Sequence, residues 1–223
     1  MNVDKVQEGL QTKKLGKTII LLRRVDSTNN FAKKLARYGA VEGTVVVAEE
    51  QTAGRGRHGR KWFSPKGGLY FSVILRPKMK VNKTVGVIVA AGLAVIKVLS
   101  ENYGLRVEAK WPNDVLLDGK KVCGILTEVN STGENVNYVV VGIGINVNSA
   151  TAKEFPEELK PIATSLREKL KRKVELEPLL KQCLEKLEEV YEAYIKLGFQ
   201  PTLEEWMKYS SDNTRIDYKS KSN

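Results

Sequence analysis

Lys110-Trp111-Pro112-Asn113-Asp114 sets a carboxylate beside a lysine, and Lys120-Lys121 follow after a short turn. A carboxylate flanked by lysines can hold a cation, coordinate magnesium or accept a proton from an attacking amine. A lysine can bridge a substrate carboxylate and a phosphate. Taken alone, the pentapeptide is also compatible with Asp114 closing a turn after Pro112 while its lysines stay solvated. A second constellation is Gly54-Arg55-Gly56-Arg57-His58-Gly59-Arg60-Lys61-Trp62. Its glycines let the backbone approach a ligand and aim N–H groups at it, while Arg55, Arg57, Arg60 and Lys61 add donors for phosphate or carboxylate. Such crowded cations repel one another, so the loop is expected to be mobile until an anion orders it. By composition it fits a solvated basic turn or a nucleic-acid patch equally well.

Other chemistries are excluded. Gly16-Lys17-Thr18 resembles the end of a P-loop, but position 11, where the first glycine belongs, is Gln, and a strand follows where a helix is required. Gly54 to Gly59 is a literal GxGxxG, yet Arg60-Lys61-Trp62-Phe63-Ser64-Pro65 is a poor helix start, and Arg76-Pro77-Lys78 stand where an acidic ribose ligand belongs. His58 is the single histidine, which removes Ser-His-Asp, Cys-His and multi-histidine metal chemistry. Lying among arginines, it reads as a solvated loop residue. Cys123 and Cys183 lie outside any CxxC spacing and read as buried structural thiols in a reducing compartment.

The elements that must position these residues alternate along the chain. Residues 18–25 (TIILLRRV) read as a buried strand. Asp26 and Ser27 then offer N-cap oxygens to a helix through Asn30 to Tyr38, ended by Gly39. Residues 44–49 form a second strand, and Gln51 to Gly68, rich in glycine and basic residues, is a long loop. Residues 69–75 return to strand, after which Asn82 is expected to cap a long apolar helix over 85–103, whose small residues allow close packing at the centre of the fold. Residues 107–110 and 115–117 are short strands around the Trp-Pro-Asn-Asp turn. Asp118-Gly119 signals a type I′ hairpin into a strand over 122–129, paired with one over 136–147. Apolar positions from Leu180 to Tyr194 recur at three and four, predicting an amphipathic helix over 177–197 that lies on the sheet. After Trp206 the chain turns polar and reads as a frayed tail.

At 223 residues, 42% apolar and 28% charged, the chain is long enough for a core of one domain, or one with a small appendage. The net charge of +11 favours acidic partners, among them nucleotides, carboxylates, acidic proteins and nucleic acid. The polar N-terminus lacks a signal-peptide core, and no stretch approaches the ~20 apolar residues of a membrane span. The expected location is cytoplasmic.

The two constellations do not stand alone. Asp26-Ser27-Thr28-Asn29-Asn30, Gln51 to Trp62, Lys110 to Asp114, Lys121-Val122-Cys123-Gly124-Ile125-Leu126 and Gly142-Ile143-Gly144-Ile145-Asn146-Val147-Asn148 occur in the order and spacing of the biotin–protein ligases, and the chain resembles that family from about Val25 to Trp206. The resemblance implies an α+β fold, a mixed β-sheet with helices packed on one side, shared with lipoate ligases and related to class II aminoacyl-tRNA synthetases. It implies a catalytic domain over 1–207, with 208–223 a polar tail or the remnant of a C-terminal SH3-like domain. The implied reaction has two steps. Biotin is activated with Mg-ATP to biotinyl-5′-AMP, and biotin is then transferred to a lysine of a biotin carboxyl carrier domain.

By the same resemblance Ser27, Thr28, Asn29 and Gln51 bind the biotin ring system, and the Arg55-Gly56-Arg57 loop folds over biotin and the adenylate phosphate. Gly124 borders the biotin site. Lys121 holds the valerate carboxylate against the α-phosphate. Arg57, Arg60, Lys110, Asn113, Asp114 and Asn146 lie toward ATP and magnesium, with Trp62 a wall for the adenine. Lys121, Asp114 and Arg55 are the implied catalytic residues; Asp114 is either the acceptor of the attacking amine's proton or a magnesium ligand. Too few residues precede Asp26 for the N-terminal DNA-binding domain that some members carry. Homodimerisation through a sheet edge is a further implication. A lipoate or octanoate ligase of the same fold, or a non-enzymatic basic nucleic-acid binder, is the alternative.

Overall fold

The computed structural model describes residues 1–210. In chain order its elements are α1 (Val3–Gln7), β1 (Ile19–Val25), α2 (Thr28–Arg37), β2 (Val45–Gln51), β3 (Leu69–Leu75), α3 (Val85–Lys97), β4 (Val107–Lys110), β5 (Asp114–Leu117), β6 (Lys120–Thr132) and β7 (Asn135–Ile145). Four helices follow: α4 (Thr151–Glu154), α5 (Leu166–Leu170), α6 (Leu176–Leu197) and α7 (Phe199–Met207). The strands form one seven-stranded sheet in the order β1-β2-β3-β7-β6-β5-β4. Only β1 and β2 are parallel, joined through α2; the remaining pairs are antiparallel, so the sheet is mixed as expected.

Period-two alternation decides what each face carries. Leu69, Phe71, Val73 and Leu75 of β3 enter the large core with Val139, Val141, Ile143 and Ile145 of β7. That face is covered by α3, whose residues from Gly86 to Ile96 are all buried. Helix α6 packs on α3 and on α7, while α3 is the helix that meets β4, β5, β6 and β7. The amphipathic helix was expected on the sheet itself. It lies a layer further out because α3, apolar around its circumference, already occupies that position. The opposite face carries a smaller cluster, Val46, Ile74, Tyr138 and Val140, against Ala32 and Ala36 of α2. Thus α3, α6 and α7 share one side, and α2 covers part of the other.

Several local expectations change. Asn82 does not cap α3: it sits in a short 3-10 turn over Val81–Lys83, and Thr84 occupies the N-cap position. The long helix does not run uniformly to Tyr103 but passes into a π turn at Val98–Asn102. Helix α2 starts at Thr28, and Ser27, though at the N-cap, makes no side-chain cap bond; the Asp26 carboxylate accepts from the Asn30 side chain instead. The segment Val81–Asn102 is long and apolar enough to cross a membrane, with mean hydropathy 1.8, contrary to the expectation that no stretch is. Its burial between sheet and α6 accounts for that composition. The Asp118-Gly119 hairpin is confirmed, with φ of 49° and 71°. Cys123 and Cys183 are buried and unbridged. Burial pushes the Cys183 thiol up to about 12 and that of Cys123 well above its usual value, which makes both inert at neutral pH. The polar tail over 208–223 falls almost wholly outside the described residues.

Glu188 of α6 fixes the entry to β1. Its carboxylate accepts backbone N–H bonds from Lys13, Lys14 and Leu15, the last two at 2.7 and 2.9 Å. Burial works to raise its pKa, and the three donors outweigh that and hold it below 4.5. Glu188→Gln keeps one acceptor oxygen and loses the charge, and is expected to cost roughly 2–3 kcal/mol at pH 7 in a urea melt. A depressed carboxyl pKa stabilises above the unfolded value and stops doing so as pH falls through the folded one. The gap between wild type and variant should therefore narrow below pH 4.5; an equal gap at pH 7 and pH 4 would refute the charge-based account.

Candidate functional site

Beyond Val140, β7 continues on the α2 face as Gly142 and Gly144, and β6 places Gly124 opposite Gly144. Missing side chains here open a cleft of about 620 Å³ against the sheet. A Cβ on Gly142 would collide with Asn29 Oδ1, one on Gly144 would come within 2.5 Å of Trp62 Nε1, and one on Gly124 within 3.0 Å of Trp62 Cζ3. The glycines are thus the floor on which Asn29 and the Trp62 indole lie. Since alternate residues of a strand are ~6.7 Å apart, Gly142, Gly144 and Asn146 mark out a trough about 13 Å long.

One end of the trough carries a chain of uncharged hydrogen-bonding side chains. Gln51 Oε1 accepts from Thr28 N at 2.8 Å and Thr28 Oγ1 at 3.1 Å, and its Nε2 donates to Ser64 Oγ at 2.9 Å. Ser72 Oγ, fully buried, lies 2.6 Å from Asn29 Oδ1 and 2.8 Å from Thr28 Oγ1. This chain links β2, β3 and the first turn of α2, and fixes the direction of each amide.

The other end is charged. Lys121 Nζ meets Asp114 Oδ1 at 2.6 Å, with side-chain exposures of 32% and 22%; that oxygen has no further partner among the described residues. Lys121 is held by its backbone as well, since its N–H donates to Ile162 O and its C=O accepts from Thr164 N. Its ammonium lies 5.3 Å from the Trp62 ring centroid, a cation–π distance. Asn146, 2% exposed, donates through Nδ2 to Thr164 O at 3.1 Å, while its Oδ1 is buried without a partner among the described residues. A buried orphan oxygen is a position that water, a cation's hydration shell or a ligand donor would satisfy.

The glycine-arginine loop spans both ends. A Gly56–Arg60 backbone bond and the Arg55–Lys61 bridge close it as a tight ribbon with His58 at its tip, exposed and at φ 55°. Two arginines have anchors. Arg55 Nη1 donates to Glu128 Oε1 at 2.9 Å and to Asn30 Oδ1 at 3.0 Å; Arg57 Nη1 donates to Asn113 Oδ1 at 2.9 Å. Arg60 and Lys61 are exposed at the mouth.

All the residues singled out from the sequence line this one cleft: Ser27, Thr28, Asn29, Gln51, Arg55, Gly56, Arg57, Arg60, Trp62, Lys110, Asn113, Asp114, Lys121, Gly124 and Asn146. Sequence reasoning missed Ser64, Ser72 and Glu128, polar residues in strands or beside a proline with partners far along the chain. It also missed the apolar roof of Phe155, Leu159, Ile162 and Ala163, which belongs to a stretch left unassigned. Among the described residues no three His, Cys, Asp or Glu side chains converge as a metal cage. Magnesium commonly binds through one carboxylate and substrate phosphates. Asp114 with the unpartnered amide oxygen of Asn146 fits that mode, whereas the Asn113 oxygen is taken by Arg57.

The biotin/lipoate A/B protein ligase family model matches residues 21–146. The bifunctional ligase/repressor BirA of Bacillus subtilis is 40% identical over 94% of this chain, which spans 65% of that protein's length. A biotin–[acetyl-CoA-carboxylase] ligase of Paracoccus denitrificans is 44% identical over 58% of the chain and 55% of its own length. Among solved structures, the Aquifex aeolicus biotin protein ligase in complex with biotin and ATP superposes with TM-score 0.77 at 36% identity, covering 87% of this chain and 79% of that one.

The glycine floor generates a direct check. Gly144→Ala must displace the Trp62 indole, so tryptophan emission should shift while far-UV circular dichroism and the urea midpoint hold within ~1 kcal/mol. Unchanged emission would mean that the cleft absorbs the methyl group and that the close approach is not needed.

Proposed function

This chain belongs to the biotin/lipoate A/B protein ligase family, and from that premise we propose that it activates biotin with ATP and transfers it to a lysine of a biotin carboxyl carrier domain. The observation that carries the reading is the meeting of an uncharged hydrogen-bonding pocket and a lysine-carboxylate pair at opposite ends of one trough about 13 Å long. A ligand with a ureido ring and a carboxylate tail demands that arrangement. Ser27, Thr28, Asn29 and Gln51 offer donors and acceptors to the ureido group inside an otherwise apolar site. The tail then reaches Lys121.

In the first step the biotin carboxylate attacks the α-phosphorus of ATP and pyrophosphate leaves. Lys121 exchanges its resting partner Asp114 for the substrate carboxylate and the α-phosphate, so that the two anions are neutralised and aligned as the bond forms. Arg57 and Arg60 flank the phosphates, Lys110 and Asn113 lie toward the nucleotide, and Gly124 leaves room beneath the tail. Trp62 walls the trough above Gly124 and Gly144, where the adenine could lie against it. Magnesium, held by Asp114 with Asn146, would neutralise the triphosphate. The ribbon carrying Arg55, Gly56 and Arg57 covers the mixed anhydride and excludes water.

In the second step the acceptor amine attacks the acyl carbon and AMP departs. The attacking amine must lose a proton, and Asp114, no longer paired with Lys121, is the carboxylate among the cleft's lining residues that would receive it. The catalytic unit is the segment 1–207. A cytoplasmic setting, where carboxylase carriers and free thiols coexist, belongs to the same proposal. A lipoate substrate would share the fold, but the Paracoccus denitrificans relative and the Aquifex aeolicus structure described above are named biotin ligases. The basic loop lines a concave cleft and has two of its arginines already engaged, which disfavours the nucleic-acid alternative.

Biotin-dependent exchange of labelled pyrophosphate into ATP tests the reading. Exchange should require biotin, ignore lipoate and fall by about 10²–10³ in Lys121→Ala. Exchange independent of biotin, or undiminished in the variant, would overturn it.

A further inference from the structure

We infer that Glu128 is a positioning residue for the ring-binding half of the cleft, latching the Arg55 arm of the loop to the sheet and orienting Asn29. The identity of the ligand rests on the biotin reading above; the latch itself does not.

Glu128 lies on β6, on the same face as Gly124 and one step beyond Leu126. Its carboxylate, 19% exposed, gathers three side chains from two other segments. Oε1 meets Lys33 Nζ at 2.6 Å and Arg55 Nη1 at 2.9 Å, and Oε2 accepts from Asn29 Nδ2 at 3.0 Å. Burial works to raise its pKa, and the bonds from Lys33 and Asn29 outweigh this and lower it, so the group is ionised at neutral pH.

Two consequences follow from this geometry. With Nδ2 committed to Glu128, Asn29 turns Oδ1 toward Ser72 and the Gly142 floor, so the carboxylate decides which end of the amide faces the trough. The loop, meanwhile, has two separate attachments. Arg55 is tied to Glu128 beside the ring pocket, and Arg57 to Asn113 beside the charged end. An isolated surface ion pair would hold a loop weakly. Here the acceptor is preorganised by Lys33 and Asn29 before Arg55 arrives, so closing the arm orders only one long side chain. Glu128 touches no reacting atom in this scheme; it acts through Arg55 and Asn29.

The test is Glu128→Gln, an isosteric change with little risk to the sheet, read in two ways. Limited trypsin digestion should cut the loop at its basic residues several-fold faster than in wild type. In pyrophosphate exchange the KM for biotin should rise about tenfold, as for loss of one charge-assisted bond, with the KM for ATP within twofold. Lys33→Gln serves as the comparison: it removes one preorganising cation from the same carboxylate but not the tether, so loop cleavage should rise clearly less than in Glu128→Gln. Glu128→Asp should restore part of the protection. Unchanged loop cleavage in Glu128→Gln would overturn the latch. So would equal rises in both KM values, or loosening by Lys33→Gln to the same extent, which would signal a general loss of packing. If wild type itself shows no biotin-dependent exchange, the ligase reading falls, and the cleavage comparison still decides whether Glu128 holds the loop.

Discussion

Along β7 the side chains of Val139, Val141, Ile143 and Ile145 enter the large core, while Tyr138, Val140, Gly142 and Gly144 face the other way. A slip of one residue against β3 or β6 would bury the glycines under α3 and drive four branched side chains into the cleft. Pairing on both sides over most of the strand prevents it. The strand thus couples stability to function directly, because the contacts that bury one face leave the opposite face bare where a ligand must lie. On that second face α2 covers only the Val46, Ile74, Tyr138 and Val140 patch. Its first turn, carrying Thr28 and Asn29, is thereby placed at the edge of the glycine floor.

How much of this was legible in the sequence follows from the range of the interactions involved. Strands β2, β3 and the β5–β6 hairpin announce themselves through β-branched runs and Asp118-Gly119, which are local signals. The long helices are equally plain, but not their layering, since the periodicity of α6 says that one face is buried and not against what. The failed Asn82 cap and the π turn at Val98–Asn102 are decided by packing at the ends of a helix that is apolar all round. In the site, residues in glycine-rich or aromatic motifs stood out, whereas Ser72 and Glu128 did not. A serine in an apolar strand and a glutamate in an edge-to-centre strand carry no local mark. Their partners lie 44 and 73 residues away, at Thr28 and Arg55.

The basic composition also takes on a different sense in the folded chain. A cluster of cations in a loop suggests repulsion and a solvated coil. In the fold, Arg55 and Arg57 spend their charge on Glu128 and on the Asn113 amide, leaving Arg60 and Lys61 at the mouth. Long-range attraction of anionic ligands therefore falls to the exposed pair, while the anchored pair sets the shape of the ribbon. One motif serves both purposes because its glycines allow the ribbon to fold back on itself at Gly56 and Arg60.

The Lys121–Asp114 pair explains why the sequence left two roles open for the aspartate. A lysine at the half-buried end of the trough needs a counter-charge beside it, because a buried charge left unpaired is costly. Asp114 at 2.6 Å supplies that counter-charge. A substrate carboxylate or phosphate replaces that stabilisation without a net change in charge at the lysine, so in the proposed cycle binding is an exchange of partners rather than a fresh burial of charge. The same exchange releases Asp114. It would then be free to hold magnesium while the phosphates are present and to accept a proton once pyrophosphate has left. Proton acceptor and metal ligand are on this account successive states of one carboxylate, ordered by what Lys121 is holding.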